Sequence, residues 1–178
     1  MCKYLIVFLF LFISINGMSS SIGLKAGYEI FVPFNPEAYD GFPINLCLRY
    51  KKINLEGGVI FGREMPGKEF KASLGYGFRL QYEIAKVKKG RLYLNYSFEK
   101  LTHKQIISND GNLLDKYVVH NCLGFGVDIP IIHNNLFAVS NIEMSTAYYY
   151  FPDPYPGNGK YNLVLIDFGF KYCFNLKK

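Results

Sequence analysis

The sequence predicts an all-β protein: an eight-stranded antiparallel up-and-down transmembrane β-barrel behind an N-terminal signal peptide. Three observations carry this reading. A two-residue alternation of apolar and polar residues recurs from Ser21 to Leu176. Short and long connections alternate between the alternating segments. The polar face of those segments is rich in glycine and small residues rather than in lysine and glutamate. Successive strand side chains point to opposite faces, so each segment has one apolar and one polar face. Around a closed sheet, that pattern lets a chain cross a bilayer with every backbone polar group paired.

Composition agrees. Hydrophobic residues are 50% of the 178 and charged residues 19%, below the roughly 25% usual in soluble domains. After residue 17 no run is long and apolar enough for a spanning helix. Residues 1–19 read as the signal peptide and 20–178 as one barrel domain. Lys3 precedes an apolar run from Tyr4 to Ile15, and Gly17 and Ser19 suit a cut near Ser19. Cys2 lies before that run and is therefore no acylation site. Removal of Lys3 with the leader leaves 19 basic against 14 acidic residues. Cys47, Cys122 and Cys173 form no disulfide framework, and His103, His120 and His133 are scattered singly, so no metal site or cofactor is expected.

The segments follow in order. The first, Ile22 to Val32, sets Leu24, Ala26, Tyr28 and Ile30 against Lys25, Gly27 and Glu29. In the second, Phe42 to Tyr50, Ile44, Leu46 and Leu48 oppose Asn45, Cys47 and Arg49. The third, Ile53 to Phe61, opposes Leu55 and Val59 to Asn54, Glu56 and Gly58. The fourth, Phe70 to Tyr82, is the clearest: Leu74, Tyr76, Phe78 and Leu80 alternate with Lys71, Ser73, Gly75, Gly77, Arg79 and Gln81. The fifth, Arg91 to Glu99, opposes Leu92, Leu94, Tyr96 and Phe98 to Tyr93, Asn95, Ser97 and Glu99. In the sixth, Tyr117 to Ile129, Asn121 interrupts an apolar face opposite His120, Cys122, Gly124, Gly126 and Asp128. The seventh, Leu136 to Tyr150, is ambiguous in phase until Glu143 is placed inward, which turns Ile142 and Met144 outward. The eighth, Tyr161 to Leu176, opposes Val164, Ile166, Phe168, Phe170, Tyr172 and Phe174 to Asp167, Gly169, Lys171 and Cys173.

Connections at Lys51-Lys52, Ala85–Gly90 and Pro130–Asn135 are short. Those at Pro33–Gly41, Gly62–Glu69, Lys100–Lys116 and Pro152–Lys160 are mostly longer and rich in turn formers. Such alternation, with an even strand number and both chain ends on the short side, is the plan of outer-membrane barrels. The short side also carries Lys51, Lys52, Lys86, Lys88, Lys89, Arg91, Lys177 and Lys178, read as solvated turn residues at the rim.

A soluble barrel also alternates, with its apolar face inward around a ligand. A water-facing exterior would be dense in lysine and glutamate, whereas this polar face suits a crowded eight-stranded lumen. Two aromatic belts are read as well. Tyr28, Phe31, Phe42, Phe61, Phe98, Tyr117, Tyr148, Tyr149, Tyr150 and Tyr161 lie towards the long connections. Tyr50, Tyr82, Phe137, Tyr172 and Phe174 lie towards the short ones.

In this pattern, and in the ending Ile166-Asp167-Phe168-Gly169-Phe170-Lys171-Tyr172-Cys173-Phe174, the chain resembles the small OmpA/OmpX-type outer-membrane barrels in the form common among Bacteroidota. The resemblance implies location in the cell outer membrane of a Gram-negative organism and contact with outer-membrane lipid. It also implies that Phe168, Phe170, Tyr172 and Phe174 form the C-terminal signal read by the barrel assembly machinery. The chain departs from the usual form by continuing four residues past Phe174.

The inward charges are Lys25, Glu29, Arg49, Glu56, Lys71, Arg79, Glu83, Glu99, Asp128, Glu143, Asp167 and Lys171. Mixed signs in a confined interior should pair, so they are read as a lumen-filling ion network. Some barrels of this size act on lipid A with a histidine and serine two apart. Here His120 is followed by Asn121 and Cys122, and Ser145 has no histidine beside it in sequence, so no catalytic residue is assigned. Turn lysines without interleaved stacking aromatics give no nucleic-acid surface. The reading is a non-enzymatic outer-membrane barrel with a polar, plugged lumen and surface loops for structural or interaction roles, their external partner unnamed. The alternatives are a porin-like channel for small solutes and a secreted, lipocalin-like lipid carrier.

Overall fold

The computed structural model describes residues 21–33, 39–64, 71–88, 90–106, 113–132, 135–150 and 159–175. They form eight strands: β1 Ser21–Pro33, β2 Tyr39–Tyr50, β3 Ile53–Glu64, β4 Lys71–Val87, β5 Gly90–Ile106, β6 Leu113–Ile132, β7 Leu136–Tyr150 and β8 Gly159–Asn175. Each pairs antiparallel with its neighbour in sequence, and β8 closes on β1 from Ser21↔Asn175 to Pro33↔Leu163. Closure leaves no open sheet edge, as a bilayer requires.

Parity decides what faces where. Leu74, Tyr76 and Phe78 are 58%, 56% and 45% exposed on the outer wall, while Arg79 and Lys171 are 4% and 3% exposed inside. A soluble barrel with an apolar interior is therefore the wrong way round, and the lipocalin-like alternative falls. In β7, Glu143 is fully buried while Ile142 and Met144 stand outward, the phase that placing the carboxylate inward predicts. Asn121 on the outer face of β6 accepts a hydrogen bond from the Tyr96 hydroxyl at 3.3 Å, so its polarity is partnered across strands.

The strands run further than the alternation suggested. Most of the predicted Lys100–Lys116 loop is ladder, with His103↔Lys116 and Gln105↔Leu114 still paired, leaving 107–112 between strands. Beyond the hydrocarbon the outer face no longer has to be apolar, so the beat fades although the backbone pairing continues. The connections 51–52, 88–89 and 133–135 stay shorter than 34–38, 65–70, 107–112 and 151–158. In the two tightest turns Lys51 and Lys88 take φ of 52° and 45°, the left-handed backbone that two-residue hairpins of the right twist demand.

Two aromatics assigned to the lipid belts face the other way. Phe31 and Phe137 are buried inside the barrel, because each shares the parity of inward neighbours, Glu29 for one and Val139 for the other. Arg91, assigned to the rim, turns inward and sets its guanidinium 5.4 Å from the Phe137 ring centre. The side chains of Lys71, Tyr149 and Tyr161, and residues 1–20, lie outside what the structure describes.

Candidate functional site

The lumen is layered. Towards the long connections, Phe31, Ile60, Leu101, Val118, Leu163 and Leu165 pack into an apolar cluster with Cys122 and Ala147. Towards the short turns, Phe137, Val139 and Cys173 form a second, smaller one. Apart from Cys122 and Cys173, which the alternation sets on the inward face, none of these is marked as lumen core by the sequence. Their parity was readable, but runs such as Leu163-Val164-Leu165-Ile166 are apolar on both faces and carry no beat.

Between the clusters sits the charge. Arg79 of β4 is the hub: its guanidinium lies 2.7 Å from Glu143 of β7 and 2.6 Å from Asp167 of β8, with Glu56 of β3 at 3.5 Å and Glu99 of β5 at 3.9 Å. Lys25 of β1 reaches Asp167 at 2.5 Å and Glu56 at 3.3 Å. Lys171 pairs with Asp128 and approaches Glu56 at 3.7 Å. Arg49 and Glu83 form a separate pair at 2.5 Å nearer the short turns. Glu29 is buried inside but has no ion pair among the described residues; its Oε1 and Glu99 Oε2 lack any hydrogen-bond partner there.

Amides knit the charges together. Asn95 donates to Asn141 at 2.8 Å and to Glu143 at 3.2 Å, and Asn141 donates to Asp167 at 2.8 Å. Gln81 donates to Asn95 at 3.1 Å and accepts from Asn54, while the Ser97 hydroxyl donates to Glu143. These residues share the inward faces of the charged ones. Glycine makes the space: a Cβ at Gly126 would fall 2.1 Å from Asn141 Oδ1 and 2.7 Å from Asn95 Nδ2. Among the described residues a cavity of about 10 Å³ lies beside Glu29, Arg79 and Glu99, and another of about 10 Å³ beside Cys47, Arg49 and Lys171. Each is about the size of one water.

The strand register brings together a pair that lies apart in sequence. Ser145 does have a histidine beside it, across strands: the β6–β7 register brings its Oγ to 3.3 Å from His120 Nδ1, and Glu99 lies opposite His120 on β5. The residue types suit base-activated nucleophilic attack. Access does not, since His120 and Ser145 are buried in the lumen and the Phe31 ring packs 4.8 Å from the imidazole. Among the described residues no three histidine, cysteine or acidic groups are arranged to hold a metal. The three described cysteines are free and buried.

No family model matches the sequence, and the search of curated proteins found no match. Among solved structures, the fold is similar to the N-terminal β-barrel domain of Pseudomonas aeruginosa OprF, at TM-score 0.55 and 12% identity over 88% of this chain and 98% of that one. It is equally similar to Neisserial surface protein A, at TM-score 0.54 and 11% identity over 88% and 96%. With its apolar wall outside and its charges enclosed, this chain has the fold of an eight-stranded membrane β-barrel.

Proposed function

We propose that this chain is a non-enzymatic integral protein of the outer membrane whose lumen is a structural plug. In this reading residues 1–19 are the secretory leader, and the connections at the long end serve protective or interaction roles. The observation that carries it is the layering of the interior. A hub arginine shared by carboxylates of four strands lies between two apolar clusters, and the voids beside Arg79 and beside Lys171 are each about the size of one water. Phe168, Phe170, Tyr172 and Phe174 all stand outward on β8, which supports their reading as the alternating aromatic signal met by the assembly machinery. The finer likeness to the Bacteroidota form rests on strand pattern and that ending.

Conductance of the purified protein in planar bilayers tests the plug. A closed lumen gives no unitary current steps in molar salt. Reproducible single-channel steps would overturn the plug and favour the porin-like alternative.

A further inference from the structure

The outer wall is not uniform near the long connections. On β1–β4 the outward positions Val32, Phe42, Phe61 and Leu74 there are apolar, and the Asp40 carboxylate of β2 is held by the Tyr28 hydroxyl. On β5–β8 the register aligns Lys100, Val119, Tyr148 and Lys160 in one row across four strands. The next row towards the bilayer centre is Phe98, Asn121, Thr146 and Asn162. Below it, Tyr96, Leu123, Met144 and Val164 return the wall to hydrocarbon character. Neither polar row contains an acid.

These side chains are held, yet not used up. Lys100 Nζ lies 4.8 Å from the Tyr117 ring centre and Lys160 Nζ 5.7 Å from that of Tyr148. Asn121 and Asn162 each accept through Oδ1, from Tyr96 at 3.3 Å and from Thr146 at 3.4 Å. Their amide NH₂ groups donate to nothing among the described residues. On a wall that meets lipid, such donors need an acceptor from the lipid itself. An ammonium there gains from anionic headgroups.

We propose that the β5–β8 patch binds a phosphorylated glycolipid of the outer leaflet, with Lys100 and Lys160 on separate phosphates and the Asn121 and Asn162 amides on sugar or ester oxygens. Three inter-strand steps of about 4.8 Å separate the two lysine positions, roughly 14 Å. Each side chain leans over a tyrosine of an intervening strand, Tyr117 on β6 and Tyr148 on β7, so two cations face one headgroup and favour one of more than one charge. The acyl chains continue down the apolar wall past Tyr96, Leu123 and Met144. The assignment rests on the outer-membrane reading above, which places the long-connection end in the outer leaflet.

The test is lipid retention by the full-length barrel, refolded into nanodiscs and measured by native mass spectrometry after detergent stripping. Bis-phosphorylated lipid A, its dephosphorylated form and phosphatidylglycerol are the probes. One bis-phosphorylated lipid should stay on each barrel, and the other two should wash off. The double variant Lys100→Gln/Lys160→Gln should lose about thirtyfold in retention, while Lys100→Arg/Lys160→Arg keeps it. Heat-modifiable gel migration of every variant reports separately that the barrel has folded and inserted, so failure of the membrane reading shows there first. Equal retention of all three lipids, or a folded glutamine variant that holds lipid A as wild type does, would overturn the proposal.

Discussion

Replacing Arg79 with methionine removes the cation on which four strands converge while keeping a side chain of similar length. The contacts at 2.7 Å to Glu143 and 2.6 Å to Asp167 are lost outright; those at 3.5 and 3.9 Å are weak already. Asp167 keeps Lys25 at 2.5 Å, and Glu56 keeps Lys25 and Lys171. Glu143 keeps only hydrogen bonds from Asn95 and Ser97, so it becomes the stranded carboxylate. Breaking a buried pair from one side costs about 3–5 kcal/mol, and Arg79→Met should lower unfolding free energy in urea, in lipid vesicles, by that amount. Adding Glu143→Gln to Arg79→Met should recover about 1–3 kcal/mol, because the two residues share one interaction. A single variant within about 1 kcal/mol of wild type, or a double variant showing no recovery, would refute the hub.

Other expectations follow from the same lumen and its turns. Glu29→Gln removes a buried carboxylate that has no ion pair among the described residues, and should be neutral or raise stability by about 1 kcal/mol in the same urea assay; a loss above that would show a hidden partner. Gly126→Val would drive a side chain into Asn141 and Asn95, and should cost about 1–3 kcal/mol, visible as a lower temperature for the loss of heat-modifiable migration. Lys51→Gly relieves a left-handed backbone at φ 52°, and should gain about 0.5–1 kcal/mol by urea unfolding.

Much of this barrel was legible because a strand's period converts sequence parity directly into inside and outside. Glu143 is the clearest case: one carboxylate set the phase of a strand whose apolar residues fell on both faces. Parity also reached Lys25, Glu56, Arg79 and Asp167. What it could not supply was partner choice, which depends on register across strands far apart in sequence. Arg79 and Asp167 meet through the lumen, and Ser145 finds His120 on the neighbouring strand. Phe31 and Phe137 were misplaced for a related reason, since an aromatic ring near a strand end suits a lipid belt and a lumen cap equally well. Only its neighbours' parity separates the two. Past Glu99 the beat itself disappears, because there the outer face carries Lys100 and Thr102 and no longer has to dissolve in hydrocarbon.

The chain contains no tryptophan, so a single introduced indole reports on one position alone. In vesicles with brominated acyl chains, Ile142→Trp should be quenched strongly and Phe137→Trp hardly at all. If the bromines quench the second and spare the first, the apolar residues face inward and the membrane account fails.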